Sequence, residues 1–571
     1  MNVKKSQIAI VIAATLLTAC SGGKGGFGLD NTQEKVPRYE PKKAKPIEFG
    51  DDITEAKPYE QLPEFLQPTL GSEIAIPRRV ILPKAEERAD LSPENVHRLS
   101  GKLEDIPHAK EIEDHPSVKN SGDKFSLVYS HDGKSPQRTR NMDYVRSGFV
   151  FANGGFTAEE NEKKEKVYRS GKVGYVFYKG VNPSKALPVD KIVKYEGTWD
   201  FTTDAVNKRS AQGFEESHVG DRYGAISYDE PVNNDKNKGA VGHTSEFTVN
   251  FGKKEITGQL YRNHPVYSGK AQERTKRYDI DGKLFGNRFR GSAKATDPKD
   301  RYFGSNANNS LEGGFYGPNA EELAGKFLAN DKSLFGVFAA KQKDGKAATE
   351  TRFDARQIDL ADFKQTEMDS FGQANLLVID GRIIPLLKQN FEQQLANKSV
   401  KVTACCENLA DVKFGSFEVA GEGKKLYITG ERTAVNAIPK SGVFAYKGSW
   451  QGQIGSKDNS SKWQAPENSA VYLEVNFADK KVNGGFGSGP VSGTVLSLQE
   501  GVIEKNGFSG VVKTLSEGFT AEGKTYHVEG KVSGGFYGKT ASEIGGSFLS
   551  NEQSKDKAAG VFGAKRQVEK K

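Results

Sequence analysis

Gly313-Gly314-Phe315-Tyr316-Gly317 recurs as Gly534-Gly535-Phe536-Tyr537-Gly538, and the blocks around it recur too. Downstream, Glu322-Leu323-Ala324-Gly325 returns as Glu543-Ile544-Gly545-Gly546. Gly336-Val337-Phe338-Ala339-Ala340-Lys341 returns as Gly560-Val561-Phe562-Gly563-Ala564-Lys565. Upstream, Gly286-Asn287-Arg288-Phe289-Arg290-Gly291 matches Lys505-Asn506-Gly507-Phe508-Ser509-Gly510. Phe247-Thr248-Val249-Asn250-Phe251 matches Leu473-Glu474-Val475-Asn476-Phe477, and Tyr195-Glu196-Gly197-Thr198-Trp199 matches Tyr446-Lys447-Gly448-Ser449-Trp450. Six blocks in one order mean that a single unit is present twice. In chain order the offsets run 251, 226, 219, 221, 221 and 224. Most of the difference falls after the tryptophan. Trp199 and Phe251 lie 52 positions apart, Trp450 and Phe477 only 27, so the first copy carries a much longer loop.

Each block reads as a strand. Thr248–Phe251 and Val471–Phe477 alternate, then pass through Lys-Lys turns into a second run, which is hairpin chemistry. Glycines inside strands let a closed sheet bend and let large neighbours fill its interior. Closure also removes exposed edges. These features predict a mainly β, bilobed chain with two antiparallel barrels of about eight strands, at 192–345 and 441–571. A strand-rich segment precedes each barrel, at 50–191 and 346–440. The second of these holds one expected helix, Pro385–Ala396, with Leu386, Leu387, Phe391 and Leu395 near one face.

Composition agrees. The 571 residues contain 63 Gly, 33 Phe and only 3 Met, a bias toward short strands and turns. Lys plus Arg is 82 and Asp plus Glu is 74, for a net charge of +8. The charges are interspersed, which argues against a nucleic-acid partner. After the N-terminus no apolar run is long enough to cross a bilayer. Residues 1–19 read as a signal peptide, with Lys4 and Lys5 before the apolar Ile8–Leu17. Leu17-Thr18-Ala19-Cys20 resembles a bacterial lipobox, which implies cleavage before Cys20 and lipid on the new N-terminus. Ordinary secretory cleavage near Ala19 is the alternative. Residues 20–49 form a Gly-, Pro- and Lys-rich tether, roughly 95 Å long when extended.

Catalytic signals are poor. No His-Glu-x-x-His, no His pair at metal spacing and no Gly-x-Ser-x-Gly elbow occurs. No enzyme, metal or cofactor is expected. Gly518–Thr525 spells a phosphate-loop string, but the alternating Tyr526–Val532 follows it where a helix is needed, so a hairpin turn is expected. Cys405 and Cys406 are adjacent. They lack zinc spacing, and a vicinal disulfide or a plain thiol pair remains open. Aromatics cluster at Tyr144–Phe151 and Tyr175–Tyr178. Core packing accounts for many of them, and a binding surface enriched in Tyr, Phe and Arg for others. Arg78-Arg79 is a candidate rim charge or a solvated loop.

These residues carry a resemblance. The lipobox cysteine and Gly-rich tether, Tyr144-Val145-Arg146-Ser147-Gly148, Phe177-Tyr178-Lys179-Gly180, Pro183-Ser184-Lys185 and Tyr195–Trp199 resemble the transferrin-binding protein B family. So do Leu311–Gly317, Cys405-Cys406 and Val561–Gln567. The resemblance runs from Cys20 nearly to the C-terminus. It implies two lobes, each a handle domain beside an eight-stranded barrel. It implies a lipoprotein anchored in the outer membrane and exposed at the cell surface, which captures iron-loaded host transferrin. It also implies presentation to transferrin-binding protein A, a TonB-dependent channel. The contact surface it suggests lies in the N-terminal lobe, with candidates Phe149, Phe151, Tyr175, Phe177, Tyr178, Lys185, Leu187, Val189, Arg78 and Arg79. The sister family that binds lactoferrin shares the architecture but usually carries long acidic runs in its C-terminal lobe, and residues 441–571 have none. A barrel that carries a small ligand such as haem or lipid is the other alternative, and bulky Phe at many strand positions argues for filled barrels.

Overall fold

The computed structural model describes residues 48–569 except 53–59, 83–90, 120–126, 132–141, 162, 205–225, 228–241, 265–270, 301, 346 and 491–492. The signal peptide, Cys20 and the tether up to residue 47 lie outside the described residues, as does most of the long loop after Trp199.

Both copies of the repeat close into barrels. The first runs through Ile192–Thr203, Gly242–Asn250, Glu255–Asn263, Arg274–Phe285, Arg288–Ala295, Ala307–Tyr316, Glu322–Leu328 and Leu334–Gln342, and the last strand pairs back with the first. The second runs through Val443–Ser456, Ser469–Asn476, Lys481–Gly487, Thr494–Glu504, Gly507–Lys513, Glu529–Tyr537, Glu543–Ser550 and Asp556–Glu569. It closes by pairing Val443–Ser456 with Asp556–Glu569. The three-residue strand Phe49–Asp51 adds to the end of that last strand.

Aromatic side chains fill both barrels. Trp199, Phe247, Phe289, Phe315, Phe327 and Phe338 pack in the first, and Trp450, Phe486, Phe508, Phe536, Phe548 and Phe562 in the second. The repeated tryptophan of each barrel donates its indole N–H to a main-chain oxygen at 2.9 Å, Trp199 to Tyr261 and Trp450 to Gly487. A buried indole N–H without an acceptor would be costly, so the pair keeps the large ring inside. Gly336 makes room for the Phe327 ring and Gly560 for the equivalent Phe548 ring; a methyl at either would overlap it.

The first handle is a sheet ordered His97–Arg98, Gly71–Ala75, Lys166–Gly180, Val145–Glu160 and Val128–Tyr129, with Arg79–Leu82 also on Lys166–Gly180. The second is ordered Lys364–Glu367, Phe353–Asp359, Lys424–Glu431, Val412–Val419, Lys398–Cys405 and Asn390–Leu395. The expected helix at Pro385–Ala396 is not formed. Arg382–Pro385 and Asn390–Leu395 are strands, and the latter turns at Ala396 (φ +46°) into Lys398–Cys405. Its four apolar residues fit a helical face, yet burial along 390–395 alternates, and neighbouring strands supply the hydrogen bonds that decide the outcome. The phosphate-loop string forms the hairpin Phe519–Ala521/Lys524–Tyr526. Glu522 and Gly523 both have positive φ in its two-residue turn. Cys405 and Cys406 are joined as a vicinal disulfide.

The repeated residues also dock each handle on its barrel. Tyr316 lies over Gly180 of the first handle, and Tyr537 over Gly430 of the second. Glu322 accepts from the Asp143 and Tyr144 N–H groups, and Glu543 from those of Ala410, Asp411 and Val412. Asn287 donates to Ser184 O and Asn506 to Thr433 O. One sequence pattern thus builds the same joint twice.

Candidate binding surface

The first handle is organised by one long hairpin, Val145–Glu160 against Lys166–Gly180. Its base is enclosed on both faces. Phe149, Phe151 and Tyr178 point toward the barrel wall and pack with Tyr316, Phe335 and Val337. Phe177 points the other way, under the short helices Ala109–Asp114 and Pro116–Lys119, with Ile112, Val118 and Tyr129. All four rings are buried, which corrects the expectation that they face a partner. Aromatics on both faces of a strand mark a sheet covered on both sides.

A charged cluster lies beneath that base. Glu312 accepts from Arg288, from Lys326 at 3.2 Å and from the Tyr178 hydroxyl at 3.1 Å. Arg288 also donates to the Tyr316 hydroxyl at 3.0 Å, and Tyr316 in turn donates to Leu70 O at 3.1 Å. Burial alone would raise the Glu312 pKa, but the cations Arg288 and Lys326 beside it hold it below the usual carboxylate range. Burial pushes Lys326 down.

Tyr175 is half-buried and belongs to a second network. Its hydroxyl donates to Glu111 at 2.7 Å, and its ring stacks on His108 at 4.2 Å. His108 bonds Glu111 at 2.7 Å through Nδ1 and Glu73 at 2.8 Å through Nε2. Burial lowers the imidazole pKa, but the two carboxylates outweigh it and the net shift is upward. Burial raises Glu73, and the Tyr175 hydrogen bond lowers Glu111. Among the described residues no cluster of His, Cys, Asp or Glu is arranged to hold a metal ion.

Lys185 and Leu187 are engaged within the chain. Ala186–Pro188 pairs with Thr349–Thr351, Lys185 O accepts from the Arg352 and Phe353 N–H groups, and Lys185 Nζ pairs with Glu367. Leu187 sits in the first barrel's core. Both therefore join the two lobes. Val189 is half-buried at the end of that short strand. Arg79 opens Arg79–Leu82, opposite Ser170.

The far half of the hairpin is different. A register shift between Gly154 and Thr157 reorients the strand, and Phe156 projects at 56% exposure with its ring 5.3 Å from Tyr168. Arg78 braces the bend. It donates to Thr157 Oγ1 at 2.7 Å and Gly155 O at 2.6 Å, and it pairs with Glu159 at 3.2 Å. Its side chain is only 9% exposed, so it works as a clamp and leaves no rim charge. Phe156 and Tyr168 were not among the sequence candidates. Their signal was an aromatic pair among Glu159, Glu160, Lys163 and Lys164, where no core is expected. An exposed Phe156 backed by the half-buried Tyr168 on a braced hairpin has the composition and rigidity of a protein-binding anchor.

Comparison with known proteins agrees with this architecture. Residues 48–184 match the family model described as the N-lobe handle of Tf-binding protein B. Residues 187–342 and 438–566 match the C-lobe and N-lobe beta barrels, and 350–433 the C-lobe handle domain. A transferrin-binding protein B from Neisseria meningitidis serogroup B is 36% identical over 619 aligned positions, covering 98% of both chains. One from Moraxella catarrhalis is 36% identical, covering 78% of this chain and 70% of that one. Among solved structures, a double mutant of transferrin binding protein B from Haemophilus parasuis Hp5 superposes with a TM-score of 0.75 at 32% identity, covering 92% of this chain and all of that one. The isotype 1 protein from serogroup B Neisseria meningitidis gives 0.72 at 35%, covering 87% and 99%.

Proposed function

Because the chain belongs to the transferrin-binding protein B family, we propose that it captures host transferrin in the iron-loaded form. It then presents the captured protein to transferrin-binding protein A, the TonB-dependent receptor channel of the outer membrane. On this reading Cys20 carries the lipid that anchors the chain in the outer membrane, and the folded lobes stand at the cell surface. Iron stays in transferrin as cargo, and the chain acts by binding rather than by catalysis.

The observation that carries the contact site is the exposed Phe156 ring beside the half-buried Tyr168, on the bend that Arg78 holds. A closed, iron-loaded transferrin lobe offers a surface that the open form lacks. A binder that is already rigid selects that surface without an ordering cost. The tether keeps captured cargo near the channel and so raises its effective concentration.

Mature protein should bind one mammal's iron-loaded transferrin tightly and its iron-free form weakly, in a panel of transferrins that includes lactoferrin. Phe156→Ala should weaken that binding roughly thirtyfold, the size of a hot-spot truncation of about 2 kcal/mol. Binding to lactoferrin alone, or to no member of the panel, sinks the partner assignment. Unchanged affinity in Phe156→Ala sinks the site and leaves the partner standing.

A further inference from the structure

The second handle ends in a free sheet edge. Among the described residues Asn390–Leu395 is the outermost strand of its six-stranded sheet and pairs on one side only, with Lys398–Cys405. The ladder shows which main-chain groups that pairing uses. The Ala404 N–H donates to Gln389 O at 2.7 Å, and the Ala420 N–H to Ser399 O at 2.9 Å. Hydrogen-bonded and non-hydrogen-bonded positions alternate along antiparallel strands. Phe391, Gln393 and Leu395 therefore turn their N–H and C=O groups inward, and Asn390, Glu392 and Gln394 turn theirs outward. No hydrogen bond among the described residues reaches the outward groups of these three.

Native sheets usually blunt such an edge with lysine, proline, a bulge or a very short strand. Asn390–Leu395 spans six residues with neither Lys nor Pro. The opposite edge, Lys364–Glu367, is four residues long, and its Glu367 is taken by Lys185.

The face beside the free edge carries a row of alternating charge. Glu392 lies opposite Lys401, Lys401 opposite Glu418, and Glu418 opposite Lys424, across four adjacent strands. All four side chains are exposed, along a shallow groove of about 390 Å³. The row stops at Glu392, so the next strand in sequence of charge would present a cation. We infer that Asn390–Leu395 is a strand-addition site for an extended segment of a partner protein with Lys or Arg opposite Glu392. Main-chain hydrogen bonds to three residues would hold the segment, and the cation would fix its register. A second copy of this chain fits poorly. The antiparallel register that uses all three outward residues sets Glu392 against Glu392, and like charges directly opposite are destabilising.

Two blocked nonapeptides of alternating Thr and Val, one with Lys and one with Glu at the centre, test this on the mature protein. The Lys peptide should bind about fivefold more tightly than the Glu peptide, the scale of one good cross-strand pair. Glu392→Lys should reverse that preference. Gln394→Pro removes an outward N–H and leaves the inner ladder intact, so it should abolish binding of both peptides with the melting temperature unchanged. Equal binding of both peptides, or a preference that survives Glu392→Lys, overturns the inference. Self-association of the wild-type protein that Gln394→Pro removes would assign the edge to a second copy and overturn it too. Should Gln394→Pro fail to fold, the Glu392→Lys reversal decides alone.

Discussion

Glu312 shows what a single residue does in this fold. It is fully enclosed, and its negative charge is tolerated because Arg288 and Lys326 surround it. Removing one partner of a buried ionic group costs far more than the group contributes net, because the rest is left uncompensated. Glu312→Gln should therefore destabilise the first lobe by about 3–5 kcal/mol, measured by denaturant unfolding. The folded pKa of Glu312 is depressed, so its contribution is present above the ordinary carboxylate range and is lost as pH falls through the folded value. His108 runs the other way. Its folded pKa is raised, so its stabilisation is complete below the unfolded value of 6.5 and is lost as pH rises through the folded value. Thermal stability should fall as pH climbs above 6.5, and His108→Gln should flatten that slope in a melting series. Arg288 was visible within a repeat block, but its position there did not reveal its partner Glu312. Tyr178 lies 134 positions from Glu312, and only tertiary structure brings the two together.

At the scale of elements, the long hairpin divides into a buried base and a braced far half. The base was legible because its aromatics are dense, and the same density misled. Phe149, Phe151, Phe177 and Tyr178 are core residues. In the far half only an aromatic pair among charged residues stood out, because a register shift at Gly154–Thr157, rather than any periodicity, aims Phe156 outward. Arg78 ties that bend to a strand some eighty positions earlier in the chain. Arg78→Ala should leave Gly155 O and Thr157 without their donor. Amide exchange across 155–160 and 166–170 should quicken with the global melting temperature almost unchanged, because the core of the base is untouched. If exchange in those segments stays as slow as in the wild type, the clamp is not what orders the far half. The strand at Asn390–Leu395 makes the complementary point. Its composition suits a helical face, and the sheet that pairs with Lys398–Cys405 overrides that preference.

Across the whole molecule, one duplicated pattern makes two handle–barrel joints, and a small change in one of them couples the lobes. Asn506 donates to Thr351 O and Thr433 O, both in its own lobe. Its counterpart Asn287 donates to Ser184 O in the first lobe and to Ser370 O in the second handle. Around that bond Gly286 and Gly372 meet backbone to backbone, and a methyl on either would overlap the other. Ala186–Pro188 and Thr349–Thr351 pair nearby, and Lys185 reaches Glu367. The repeat made both asparagines conspicuous in the sequence. What each one bonds depends on the chain that follows, so the coupling emerged only with the fold. Asn287→Ala leaves two buried carbonyls short of a donor, and Asn506→Ala one buried and one part-buried, at about 1–3 kcal/mol for each buried one. The consequences should differ in kind. Asn506→Ala should lower the stability of the second lobe alone. Asn287→Ala should weaken the first lobe and also loosen its hold on the second, so calorimetric unfolding should broaden or split into two transitions. A single sharp transition in Asn287→Ala, shifted no more than in Asn506→Ala, would mean that the paired strands and Lys185–Glu367 carry the coupling unaided.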